Sequence, residues 1–222
     1  MVNRIHVIGS GRVGSAVAAR LRERDLAVGA DDPELVLLCV PDSAIAGVAA
    51  SVQPGPWVAH VSGATPLAAL APHTQRFSVH PLQTFTRTRG PEQLDGAWAA
   101  VTAETEPARI LGVWLAETLG LKPFELDDSA RTLYHAGAVF ASNFIVTMQR
   151  AASLLFETVD VPPEALEPLM LRTIENGFEL TGPISRGDWS TVDAHRAAIH
   201  AALPELEQLY ETLAAATAEL AT

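Results

Sequence analysis

The sequence predicts an α/β fold: a mostly parallel sheet covered on both faces, followed by a separate all-helical domain. Three observations predict it. Up to Leu126, short apolar runs alternate with helical patterns, as in strands joined by crossover helices. The first run leads straight into Gly9-Ser10-Gly11-Arg12-Val13-Gly14, a glycine-rich turn where a strand meets a helix. After Asp127-Asp128 the strand-like runs stop and apolar residues recur only at helical spacing. The two domains are therefore placed at residues 1–126 and 127–222.

Each element has its own signal. Ile5 to Ile8 reads as a buried strand. Val13, Val17 and Leu21, with Arg20, Arg22 and Arg24 opposite, make an amphipathic helix. Leu26 to Val28 is a short second strand, and only Gly29 to Glu34 separates it from the next apolar run. A parallel crossover normally takes roughly a dozen residues or more, so this strand–helix unit is reduced. Leu35 to Val40 is a strand closed by Pro41-Asp42, and Asp42 or Ser43 is placed to cap a helix through about Ser51. Trp57 to Ser62 and Phe77 to Val79 are strands ended by Ser62-Gly63 and His80-Pro81. Trp98 to Thr102 and Phe124 to Leu126 flank a helix from Pro107 to Leu119. From Ser129 to about Thr158 neither proline nor strand alternation interrupts one long helical stretch. Pro162-Pro163 ends it, a helix follows to about Asn176-Gly177, and Thr181 to Asp188 is a loop. Pro204 divides the last two helices, about 190–202 and 204–220.

Composition excludes several functions. At 48% apolar and 18% charged residues, the 222-residue chain has the means to build a core and is not disordered. Asp and Glu outnumber Lys and Arg by 26 to 15, a net charge of −11, which argues against a general nucleic-acid-binding face. Lys122 is the single lysine, so no Gly-x-x-x-x-Gly-Lys phosphate loop exists. Cys39, the single cysteine, lies in an apolar run and reads as a buried structural thiol. Neither an intrachain disulfide nor a multi-cysteine zinc site is possible. His195 and His200 fall on different helix faces and no His-Glu-x-x-His occurs, so no metal is expected. The first apolar run, broken by His6, does not resemble a secretory signal. No stretch approaches the ~18 uninterrupted apolar residues of a membrane span. The expectation is a cytoplasmic protein with neither nucleic-acid nor membrane partners.

The glycine turn points to a dinucleotide. Gly9 permits the tight turn, Gly11 lets backbone approach a pyrophosphate, and Gly14 lets the helix pack on the strand. The helix N-terminus adds partial positive charge. An acidic residue about twenty positions on would hold the adenosine ribose. Asp31 and Asp32 match that count, but their setting also suits a solvated turn.

Six segments carry a resemblance. They are Gly9 to Gly14, Leu37-Leu38-Cys39-Val40-Pro41-Asp42, His60-Val61-Ser62-Gly63-Ala64, Ser78-Val79-His80-Pro81-Leu82-Gln83-Thr84-Phe85, Tyr134 to Asn143, and Thr181 to Asp188. On these the chain resembles oxidoreductases that join a Rossmann-like domain to a helical C-terminal domain of unknown function. These are relatives of the 6-phosphogluconate dehydrogenase, ketopantoate reductase and pyrroline-5-carboxylate reductase superfamily. The resemblance implies NADP- or NAD-dependent chemistry, NADP slightly favoured, on a small molecule between two domains. It also implies a homodimer through the C-terminal helices. Gly9, Ser10, Gly11, Arg12, Val13 and Gly14 would hold the pyrophosphate, with Val40, Pro41, Asp42 and Ser62 on the nicotinamide side. Two features depart from the family pattern. The second strand and its helix are shortened, and Val139 stands four residues before Asn143, where related β-hydroxyacid dehydrogenases carry a lysine.

Hydride transfer leaves the protein to orient the substrate and handle one proton. His80, at a strand end and with an ordinary pKa near 6.5, suits a general acid. His135 and Ser142, seven apart on one helix face, and Asn143 on its flank would line the cleft; His135 and Asn143 join His80 as catalytic candidates. Arg186 could clamp a substrate carboxylate, and Asp188 could orient it or cap the helix after it. The expected function is an oxidoreductase acting on a small carbonyl, imine or hydroxy-acid compound. The alternative is a non-catalytic relative that binds a small ligand or a partner without tight dinucleotide binding.

Overall fold

A computed structural model describes residues 2–221. They form two compact units, Met1–Ala141 and Ser142–Thr222. The first holds a seven-stranded sheet in the order β2-β1-β3-β4-β5-β6-β7, parallel except where β5 meets β6. The strands are β1 (Arg4–Ile8), β2 (Ala27–Val28), β3 (Leu35–Leu38), β4 (Trp57–His60), β5 (Arg76–Leu82), β6 (Trp98–Ala103) and β7 (Lys122–Glu125). Helices α1 (Arg12–Glu23), α2 (Asp42–Ser51) and α3 (Glu106–Thr118) connect them, and α4 (Arg131–Phe140) follows.

The strands are buried on both faces because helices or turns cover both. Along β3, Leu35 and Leu37 join Val17, Leu21, Phe77 and Leu115 in the core under α1 and α3. Val36 and Leu38 point the other way and pack with Ile45, Ala49, Leu67 and Leu70 beneath α2 and a short turn. Period-two alternation thus feeds two cores from one uniformly apolar run. Arg20, read from the sequence as part of a polar helix face, is 5% exposed. It bonds Asp95, Glu23 and the carbonyls of Pro91 and Leu119.

The reduced second unit has a geometric explanation. β2 pairs with β1 only at Arg4↔Ala27 and Ile5↔Val28, and β3 begins on the other side of β1 opposite that same Ile5. The chain leaves β2 and enters β3 at one level of the sheet. It needs no return path along the strand, and Gly29–Glu34 crosses without a helix. The face of β1 left open borders a depression of about 690 Å³ lined by Arg4, His6, Asp31, Val36 and Trp57.

The division between the units falls after Ala141, beyond the expected 126/127 boundary, because α4 is tied to the sheet through a buried arginine, Arg131. The single helix expected from Ser129 to Thr158 is two: α4 ends at Phe140 and α5 (Asn143–Thr158) begins after Ser142, whose φ of −132° and ψ of −72° leave the helical region. A Ser-Asn pair favours such a restart. His135 and Ser142 therefore do not share one helix face.

The second unit contains α5, α6 (Leu166–Glu175), α7 (Trp189–Ala202) and α8 (Glu207–Leu220). Its interior is thin, with Ser153, Leu166, Val192 and Ile199 buried. α7 and α8 are joined by polar pairs, His195 with Tyr210 at 3.0 Å and His200 with Glu207 at 2.7 Å.

Candidate active site

The glycine turn is built as the motif demands, and its three glycines serve different ends. Gly9 has φ +111°, and a β-carbon there would lie 2.3 Å from the Cys39 carbonyl oxygen. A β-carbon on Gly14 would lie 2.0 Å from the Gly9 carbonyl oxygen. Both are required by packing. Gly11 is not: its φ of −70° suits any residue, and beyond its own chain neighbours nothing lies within 4 Å of where its β-carbon would be. Burial pushes the adjoining Cys39 thiol up to about 12, leaving it inert.

The ends of β3 and β4 meet beside this turn. Pro41, not Asp42 or Ser43, occupies the cap position of α2, without a side-chain bond. Asp42 instead accepts a hydrogen bond from Ser62 Oγ at 2.8 Å. Ser62 Oγ also accepts the amides of Ala64 and Thr65, at 3.2 and 3.0 Å. The hydroxyl thus fixes the turn that carries Gly63. That glycine is needed for contact: a β-carbon would lie 2.6 Å from His135 Cδ2 and 2.9 Å from His80 Nε2.

His80 lies within β5 rather than after it, paired with Ala100 of β6. Its Nδ1 is 2.7 Å from the Tyr134 hydroxyl, and the His135 ring centroid is 6.0 Å away. Burial, then the proximity of His135 and Arg131, lowers the His80 pKa to about 4. The expected value near 6.5 is overturned by desolvation, and the ring is neutral at pH 7. Burial raises Tyr134 to about 12, so the phenol keeps its proton. His60 is fully buried, with its Nδ1 accepting the Ser62 amide and its Nε2 without a partner. Burial and the nearby Arg131 lower its pKa to about 3.

Arg131 holds the cluster together. Its guanidinium is 1% exposed and donates to Ser78 Oγ at 2.6 Å, Thr102 Oγ1 at 2.8 Å and the Ser62 carbonyl. Asp128, 3.9 Å from its Nε, accepts the Leu67 amide. Desolvation lowers the Arg131 pKa, with Asp128 opposing the shift.

Of the residues singled out from sequence, the first unit brings together the glycine turn, Asp42, Ser62, His80 and His135. Val40 and Pro41 follow the end of β3. The others belong to the second unit. Ser142 precedes α5 and Asn143 begins it, exposed, with Ser142 Oγ 3.3 Å from Asn143 Oδ1. Arg186 is exposed on a short turn. Asp188 caps α7, accepting from the Thr191 amide and the hydroxyls of Ser190 and Thr191, which hold its pKa low. Tyr134, His60 and Arg131 were not singled out. Tyr134 adjoins His135, and Arg131 is a lone charge entering an apolar helix; each is a weak signal. Among the described residues no group of three or more His, Cys, Asp or Glu is placed to hold a metal ion.

The family model described as Domain of unknown function (DUF2520) matches residues 97–217. The chain belongs to this family. A Rossmann-like domain model matches residues 18–84 of this DUF2520 member. No curated protein matches its sequence. A proposed NADP oxidoreductase from Bacteroides fragilis shares its fold at 21% identity, with 97% of each chain covered and a TM-score of 0.82. A protein from Thermotoga maritima follows at 23% identity, 98% of each chain and 0.77. Pyrroline carboxylate reductase from Plasmodium falciparum, solved with NADP bound, gives 10%, 98% and 96% of the two chains, and 0.60. The DUF2520 chain thus has the same arrangement of a Rossmann-like sheet and following helices.

Proposed function

We propose that the chain is an NAD(P)-dependent oxidoreductase acting by hydride transfer on a small carbonyl, imine or hydroxy-acid compound. The observation that carries this is Gly11. Neither backbone conformation nor packing requires glycine there, whereas close approach of a diphosphate does. The residues present fit a nicotinamide dinucleotide: the glycine turn would hold its phosphates, and Val40, Pro41, Asp42 and Ser62 would hold the nicotinamide side. When bound, that cofactor supplies or accepts the hydride.

The chain's own task is the proton. With Tyr134 donating its O–H to Nδ1, the His80 proton sits on Nε2, at the Gly63 turn. His80 is then a neutral donor that polarises a carbonyl oxygen or imine nitrogen, with no need of an imidazolium. This supplies a donor where Val139 replaces the lysine of related dehydrogenases. We assign substrate orientation within the first unit to His135, which packs beside His80 at the Gly63 turn. The names of the Bacteroides and Plasmodium neighbours support the cofactor class.

Calorimetric titration with NADPH and NADH tests the proposal. Both are expected to bind, within about tenfold of each other, because the shortened Gly29–Glu34 segment offers little to read a 2′-phosphate. Gly11→Leu is expected to abolish binding while leaving the melting temperature unchanged. If wild type binds neither cofactor up to millimolar concentration, the enzyme reading fails. The second reading, a small-ligand binder without dinucleotide chemistry, would then stand; the absent second crossover helix favours it.

A further inference from the structure

We propose that the loop Thr86–Gly90 is the outer jaw of a diphosphate clamp whose inner jaw is the glycine turn. This rests on the dinucleotide reading above and adds residues that the glycine motif does not contain. A cavity of about 220 Å³ separates Ser10, Gly11 and Arg12 from Thr86, Arg87 and Arg89, with Ser15, Ala16 and Ala19 of α1 as its floor. Three arginines line it and no acidic residue does. In a chain of net charge −11 that is a local reversal of sign.

The arginines are free to act on a ligand. Arg12 and Arg87 form no ion pair among the described residues. The Arg89 contact to Glu92 is long, 3.8 Å, and the same Glu92 oxygen already accepts the Gly90 amide at 2.9 Å. Their backbone is nevertheless fixed. Gln93, 2% exposed, sits inside the loop, donating to the Arg89 and Gly90 carbonyls and accepting the Thr86 amide at 2.8 Å. Arg20 then ties the base of the loop to α1 through Asp95 and the Pro91 carbonyl. The guanidinium groups are exposed while the loop that carries them is held against the helix. That is the arrangement suited to binding an anion without first ordering a loop.

The chemistry selects a diphosphate. Guanidinium forks bind phosphate oxygens bidentately, and the cavity's other wall is the turn already assigned to phosphate. Arg87 and Arg89 reach from the side opposite the glycine amides, so the anion is held from both sides.

The double variant Arg87→Ala/Arg89→Ala is the test, with NADPH, NADH and inorganic pyrophosphate as probes in calorimetry. Both dinucleotides are expected to bind at least about tenfold more weakly, by the same factor, and with a shallower salt dependence. Pyrophosphate should compete with NADH for the wild type and less well for the variant. Arg87→Lys/Arg89→Lys should recover part of the loss. A loss confined to NADPH would move the arginines to the 2′-phosphate and overturn the clamp. Unchanged affinity for both dinucleotides would overturn it as well, whereas failure of the wild type to bind either overturns the cofactor reading itself.

Discussion

Two buried histidines make this fold sensitive to acid. In the unfolded chain a histidine titrates near about 6.5. In the folded chain burial holds His80 at about 4 and His60 at about 3. Both folded values lie below the unfolded one, so between them the unfolded state binds more protons. Stability is therefore full above about pH 6.5 and is lost as pH falls toward 4 and below. Each tenfold difference in proton affinity corresponds to about 1.4 kcal/mol. The carboxylates with lowered values, such as Asp95 and Glu34, act in a more acid window. Urea unfolding at pH 7.5, 5.5 and 4.5 is expected to show a steep decline for wild type and a shallower one for His80→Gln. Equal slopes for the two would refute the neutral buried ring. The same assignment means that activity should show no limb near pH 6.5 from His80. A histidine's identity was legible in the sequence; its burial was not, because Tyr134, Arg131 and the strand pairing that desolvate it come from distant segments.

At the level of elements, the strands were visible wherever apolar residues ran together. Their ends were not, since β3 stops at Leu38 and β5 continues through Pro81 to Leu82 against an antiparallel β6. No local signal reports an antiparallel neighbour that lies twenty residues away. Helix α4 is the clearest case of long-range control. Its sequence continues the helical pattern of α5, yet Arg131 ties it to the turn after β4 through Ser62 and to β5 and β6 through Ser78 and Thr102. Arg131→Met would leave a buried carbonyl and two buried hydroxyls short of a donor. The expected cost is about 3–5 kcal/mol, in the range found when one partner of a buried ionic network is removed. Arg131→Lys should recover little, because a single ammonium cannot reproduce the guanidinium fork. Chemical denaturation monitored by tryptophan fluorescence measures both; a change under about 1 kcal/mol for the methionine variant would show that the network is dispensable.

For the whole molecule, the phosphate end of the proposed site was legible because the glycine spacing is local, while the arginine loop facing it was not. The helical unit presents a different question. Leu171 and Ile174 on α6 are each 53% exposed, and Val146 on α5 is 67% exposed. The run Asp128–Thr158 is long and apolar enough by composition to cross a membrane, and its most apolar 18-residue window is 6% buried. Two features argue against a membrane for it: the helix breaks at Ser142, and Arg131, within the run, is committed to the sheet. Large exposed apolar surfaces mark interaction sites, and a second copy of this chain is the occupant that the family resemblance proposes. Sedimentation at micromolar concentration is therefore expected to give a dimer. Leu171→Glu/Ile174→Glu should shift it to monomer while preserving helical content, since both side chains already face outward. A wild-type chain that sediments as a monomer under these conditions would overturn the dimer expected from the family resemblance and leave the proposed cofactor site of the first unit untouched.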